Sequence, residues 1–174
     1  NGSDTDFASW YRNTVKPPKT LFFPAMEEMF SFQKDESGYH VEQPVAERKR
    51  LIFGIRPCDA RGLAILDRLF KELYPDPYYL PRRESSVLIG MGCTRPYDAC
   101  FCTSIDIDPA ESADVDLMLT DIGDYFLVEV VTDKGKALLQ DANGLEEIAE
   151  GDESKGNEVK EASRQKVTKK LSLE

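Results

Sequence analysis

Histidine is all but missing from this 174-residue chain, and His40 stands alone. It sits in a polar, strand-like stretch after Gly38 and reads as a surface residue. No Ser-His-Asp or Cys-His arrangement can be built around it with any specificity. Neither G-x-G-x-x-G nor a P-loop occurs, so the glycine-rich phosphate cradles are absent. Positive charge is also in short supply: 22 Lys and Arg stand against 32 Asp and Glu, a net charge of -10. Such a field repels nucleic acid and anionic lipid, which argues against DNA binding or a polybasic membrane role. Charged residues interrupt every apolar stretch well before the ~20 residues of a membrane span. No charged-then-apolar leader opens the chain. Cysteines number only four. In a chain with an ordinary core, that count fits thiols used for metal in a reducing compartment better than a disulfide scaffold.

What is present is ordinary for a globular protein: 41% hydrophobic, 10% aromatic and 31% charged residues. These values exclude wholesale disorder, collagen-like repeats and a continuous coiled coil. The length suits one domain, or one domain with an appendage. Residues 1–47 read as an aromatic and proline-rich arm laid over the core. Trp10, Tyr11, Phe22, Phe23, Phe30 and Phe32 surround Pro17, Pro18 and Pro24 there, and prolines at that density rule out one long helix. Residues 48–143 read as an α/β domain with a small, mostly parallel sheet. Residues 51–55 and 87–91 are short apolar runs, as expected of adjacent parallel strands buried on both faces. Between them, Asp59 is the predicted N-cap of a helix to Tyr74, with Leu63, Leu66, Leu69, Phe70 and Leu73 inward and Arg61, Asp67, Arg68, Lys71 and Glu72 outward. Strand, helix and strand make a βαβ unit. Residues 74–83 read as a well-packed loop. Apolar runs at 115–119 and 125–131 flank a turn signal at Asp121-Ile122-Gly123-Asp124 and predict a hairpin, followed by a short helix over 134–140. Residues 144–174 form a polar tail whose thin stripe of Val159, Ala162, Val167 and Leu171 predicts poor order or packing on a neighbouring molecule.

The cysteines are placed suggestively. Cys58 follows the first buried strand and Cys93 follows the second, so both lie at carboxyl ends of parallel strands, where open α/β sheets put their ligands. Cys100-Phe101-Cys102 adds two thiols that point to the same side of an extended segment. Four thiolates suit a tetrahedral zinc or an iron–sulfur cluster. The spacing matches neither a zinc ribbon nor a bacterial ferredoxin, and it leaves buried inert thiols and disulfides as alternatives. Arg56, Arg61 and Arg95 flank these segments. Pro96 to Asp133 carries ten acidic residues and no basic one, which reads as a solvated face.

Gly54-Ile55-Arg56-Pro57-Cys58-Asp59, Asp76-Pro77-Tyr78-Tyr79 with Arg82-Arg83-Glu84, and Cys93 followed by Cys100-Phe101-Cys102-Thr103-Ser104 together resemble a known family. It comprises the iron–sulfur electron-transfer subunits related to the beta subunit of sulfhydrogenases (NiFe hydrogenases) and to the A subunit of anaerobic sulfite reductase. Pro17-Pro18-Lys19 to Phe22-Phe23-Pro24 and Phe126-Leu127-Val128-Glu129-Val130 extend the resemblance. It implies a cytoplasmic, anaerobic oxidoreductase complex in which this subunit relays electrons between a partner's active site and a nicotinamide- or flavin-bearing subunit. It also implies an iron–sulfur cofactor on Cys58, Cys93, Cys100 and Cys102. A zinc-stabilised binding module without redox chemistry is the alternative. Members of the family continue into a ferredoxin-like domain whose C-x-x-C-x-x-C-x-x-x-C-P motifs do not occur here, so residues 144–174 read as the linker toward it.

Overall fold

The computed structural model describes residues 12, 14–42, 49–72 and 74–172. Trp10, Tyr11, Leu73 and the boundary expected near residue 47 lie outside them. The sheet expected from the sequence is present. Strands β3 (Arg50–Ile55), β4 (Ser86–Met91), β5 (Leu117–Asp121) and β6 (Phe126–Val130) lie side by side in that order. The β3–β4 and β4–β5 pairings are parallel, and β5–β6 is the antiparallel hairpin. Leu51 faces Val87 and Phe53 faces Ile89, as adjacent strands of a βαβ unit require. A register shift follows Phe53, where Gly54 takes a φ of 79° that residues with a Cβ rarely adopt.

The connecting helix α1 (Pro57–Glu72) begins before the predicted cap. Proline needs no backbone donor in the first turn, and its fixed φ suits it to open a helix. Pro57 therefore starts α1, and Asp59 falls within its first turn. Leu63 is buried, and Leu66 and Phe70 pack against the core, but Leu69 is exposed. Asp67, expected to face outward, accepts the Tyr79 hydroxyl at 2.7 Å and pairs with Arg83 at 3.1 Å. The expected loop at 78–83 contains a short helix, α2 (Tyr79–Glu84), started by Asp76, whose carboxylate accepts the backbone N–H groups of Tyr78 and Tyr79. Strand β3 is not buried on both faces, since Leu51 and Phe53 are about half exposed. Its position at the end of the strand order explains this.

Two apolar clusters lie against the sheet. Phe22, Ile55, Ala60, Leu63, Tyr79, Leu88, Val115 and Met118 form one; Ile89, Met91, Leu117 and Leu119 form the other, with Leu138 and Leu139 of α3 (Asp133–Gln140). The arm supplies Phe22 to the first cluster. Phe30 and Phe32 do not anchor the arm. They are exposed, and Phe32 belongs to an antiparallel hairpin of β1 (Ser31–Asp35) and β2 (Gly38–Glu42). His40 lies on that hairpin as a surface residue, 2.9 Å from Asp35.

The tail departs most from expectation. Helix α4 (Asp152–Lys166) packs on its own chain. It does so through Asp152, Gly156, Lys160 and Ser163, followed by Val167, and not through a stripe of valine and leucine. A Cβ at position 156 would come within 2.5 Å of Leu127, so the helix sits close over β6. Glu129 pairs with Met118 in register, which puts Glu129 and the helix above it on the Met118 face of the sheet. The acidic stretch is accordingly not only a solvated face. Asp108, Glu111 and Glu129 receive Arg164 and Lys160, and Asp116 is buried, accepting the Leu88 N–H at 2.8 Å and the Thr132 hydroxyl at 2.5 Å.

Candidate functional site

Beyond the carboxyl ends of β3 and β4 the chain turns away from the sheet, and both turns carry a thiol. Cys58 lies in the first turn of α1, and Cys93 lies two residues past β4. The segment after Cys93 folds back through a turn in which Cys100 N–H donates to the Tyr97 carbonyl. It then enters a single 3₁₀ turn over Cys102–Ile105, ended by Asp106 at φ 55°. In consequence Cys58, Cys93, Cys100 and Cys102 all line one cavity of about 330 Å³. All four are free thiols; Cys58 is exposed and the others are half-buried. Among the described residues, no three His, Cys, Asp or Glu side chains are arranged to hold a single metal ion. The thiols share the walls of a space wider than one ion needs.

Arginine surrounds this space. Arg56 is 3% exposed, and its guanidinium donates to the Met91 carbonyl at 3.2 Å, the Gly92 carbonyl at 2.6 Å and the Arg12 carbonyl at 2.8 Å. It thereby ties β3, the end of β4 and the arm together at the cavity wall. Arg12 lies 4.4 Å over the Tyr97 ring and donates to the Pro96 carbonyl at 3.1 Å. Sequence reasoning picked out Arg56 and Arg95, both of which line the cavity, but missed Arg12. No local pattern connects an arm residue to a loop 84 positions away. Arg61, also picked out, instead pairs with Asp114 at 3.6 Å beside a separate acidic cavity. Phe101, Ile105, Pro96 and Pro109 supply apolar wall.

Cys58, Cys93 and Cys102 are held protonated by their surroundings. Although Cys58 is open to solvent on one side, the protein packed around its sulfur displaces water and pushes the thiol up to about 11, aided by the charge of Asp59 and by Cys93 and Cys102. Burial also raises Cys93, with Arg56 pulling the other way and Cys100 adding to the rise. Cys102 is raised by burial, opposed by the Thr103 N–H, with Cys93 and Cys100 adding to it. The mutual influence of these sulfurs reflects their shared space. A thiolate of high basicity bonds strongly to a metal that displaces its proton, and the arginines offset the negative charge that results.

The fold and cavity define an α/β domain with four free thiols around one cavity beyond the strand ends of a mostly parallel sheet. The chain is 32% identical over 165 residues to sulfhydrogenase 2 subunit beta of Pyrococcus furiosus, a match covering 94% of this chain and 48% of that protein. The chain thus spans about half the length of this relative. No family model and no solved structure matches it. Among the described residues, no helix is long and apolar enough to cross a membrane.

Proposed function

We propose that this chain is an electron-relay component of a cytoplasmic hydrogenase-type complex, with an iron–sulfur cluster held in the four-cysteine cavity. The observation that carries the reading is the presence of all four cysteines on the wall of one cavity beyond the ends of β3 and β4. Its donor set is purely thiol, which favours soft metals and iron–sulfur clusters over hard cations. Cys58, Cys93, Cys100 and Cys102 would hold the cluster, which supplies one-electron transfer when bound. Arg12, Arg56 and Arg95 balance the thiolate charge, and Pro96, Phe101, Ile105 and Pro109 restrict water. The relation to a hydrogenase beta subunit supports a place among the subunits of such a complex. The electron partners in this reading are a component that carries the active site and another that bears nicotinamide or flavin, in a hydrogenase or in the related sulfite reductase arrangement. Residues 48–143 are its cysteine-bearing unit, and residues 144–174, whose helix α4 packs on that unit, join it to a ferredoxin-like domain.

Anaerobic preparation tests the proposal. The protein is expected to show visible absorbance that dithionite bleaches, and Cys93→Ser is expected to lose it while remaining folded. Folded wild-type protein without such absorbance, and with all four thiols open to alkylation, would overturn the reading.

A further inference from the structure

The loop between β4 and β5 carries three of the four cysteines, yet its described main-chain bonds are largely local. Cys100 bonds to Tyr97, Ser104 to Phe101 and Ile107 to Cys102, while the longer spans lie toward the loop's ends, from Gly92 N–H to Leu119, Cys93 N–H to Pro109 and Asp116 N–H to Leu88. The C-terminal segment supplies contacts of another kind. Lys160, whose side chain is 8% exposed, places its ammonium 2.9 Å from Glu111 and 2.7 Å from Glu129. Arg164 reaches Asp108 at 2.8 Å and Glu111 at 3.0 Å. Lys166 donates to the Thr94 carbonyl at 2.9 Å, next to Cys93. Leu171 N–H donates to the Ser104 hydroxyl at 3.0 Å, and Lys170 lies 3.2 Å from the Thr103 hydroxyl, both just past Cys102.

We propose that Lys160 and Arg164 are positioning residues of the thiol cavity: through Asp108, Glu111 and Glu129 they clasp the loop bearing Cys93, Cys100 and Cys102 against the sheet. The clasp consists of charge pairs. Glu129 belongs to β6 and Glu111 to the loop, so the Lys160 ammonium bridges the loop to the sheet. Removing either cation lets the loop open locally while the sheet, which has its own apolar clusters, stays closed. The geometry of the cavity therefore depends on a helix that contributes no thiol to it.

Amide hydrogen exchange on the full chain, as purified, reads this directly. In Lys160→Met, and more weakly in Arg164→Gln, exchange at Cys100, Ser104 and Ile107 is expected to quicken about tenfold, equivalent to roughly 1.4 kcal/mol of local opening. The amides of Leu88 to Met91 in β4 should keep their wild-type rates, and Lys160→Arg should restore the loop. Raising the salt to about 1 M, where screening acts within about 3 Å, should speed the same loop amides in the unaltered chain, an arm that needs no buried substitution. Unchanged loop rates in the variants and in high salt would overturn the proposal. So would acceleration of β4 in step with the loop, since the cations would then support the whole domain. The readout is backbone opening and not colour or metal, so its failure is distinct from failure of the electron-relay reading.

Discussion

Replacing Arg56 by methionine keeps most of the side-chain volume and removes a buried charge with its donors. The Met91 and Gly92 carbonyls, at 3.2 and 2.6 Å from Nη1, lose a partner in a place where water has little access. Hydrogen bonds to a charged group contribute about 1.5–3 kcal/mol each, and relief from burying the guanidinium returns part of that. Taking the lower figure for the Met91 and Gly92 carbonyls, the variant should lose about 3 kcal/mol. A domain of this size shifts by roughly 2–4 °C per kcal/mol, so Tm should fall by roughly 6–12 °C. Arg56→Lys should fall in between, because an ammonium keeps the charge but lacks the planar fork that spans both carbonyls and the arm. The same change has a chemical signature. Burial raises the Cys93 thiol and Arg56 opposes that rise, so without the guanidinium Cys93 should alkylate more slowly at a fixed mildly alkaline pH. Thermal unfolding followed by circular dichroism, with site-resolved alkylation of metal-free protein, checks both. A Tm within about 1 °C of wild type and an unchanged Cys93 rate would refute the structural and electrostatic role together.

Two further predictions are independent of Arg56. Cys58 is pushed up to about 11 by burial, then by Asp59 and the neighbouring thiols, so its alkylation rate should rise toward a midpoint near there, and Asp59→Asn should move that midpoint down. The folded chain holds this proton more tightly than the unfolded one, so the stability it contributes is complete below about 9 and is lost as pH rises through about 11; urea midpoints across that window measure it. Gly135→Ala should destabilise by roughly 1–3 kcal/mol, because the new Cβ would sit 2.1 Å from the Asp116 carbonyl oxygen that accepts the Val131 and Thr132 amides; urea unfolding checks this.

The elements that sequence reasoning located best are those with apolar periodicity: the β3–α1–β4 unit, the β5–β6 hairpin and α3. Each buries a stripe or run that one stretch of chain carries by itself. Where packing depends on a distant partner, the local pattern misled. Asp67 sits at an outward position of the helical pattern but is drawn in by Tyr79 and Arg83. Helix α4 buries lysine, serine and glycine because the acids that neutralise Lys160 lie 31 and 49 residues away. Burial opposes the charge on Lys160, yet Glu129 and Glu111 more than offset it and raise its pKa. An acidic stretch that looked solvated and a charge-balanced helix that looked poorly ordered instead pair with each other at these positions. The cysteine site followed the same division. The strand-end positions of Cys58 and Cys93 were legible, whereas the closure of the cavity by Arg12 was not.

Iron, acid-labile sulfide and zinc determined on one anaerobic preparation of the folded chain test whether the four thiols hold a cluster. Iron and sulfide are expected in equal amounts, both lost on replacing Cys58 or Cys93 by serine while the circular dichroism spectrum is retained. One zinc ion per chain without sulfide, or a folded chain that binds neither metal after anaerobic reconstitution with iron and sulfide, would contradict it.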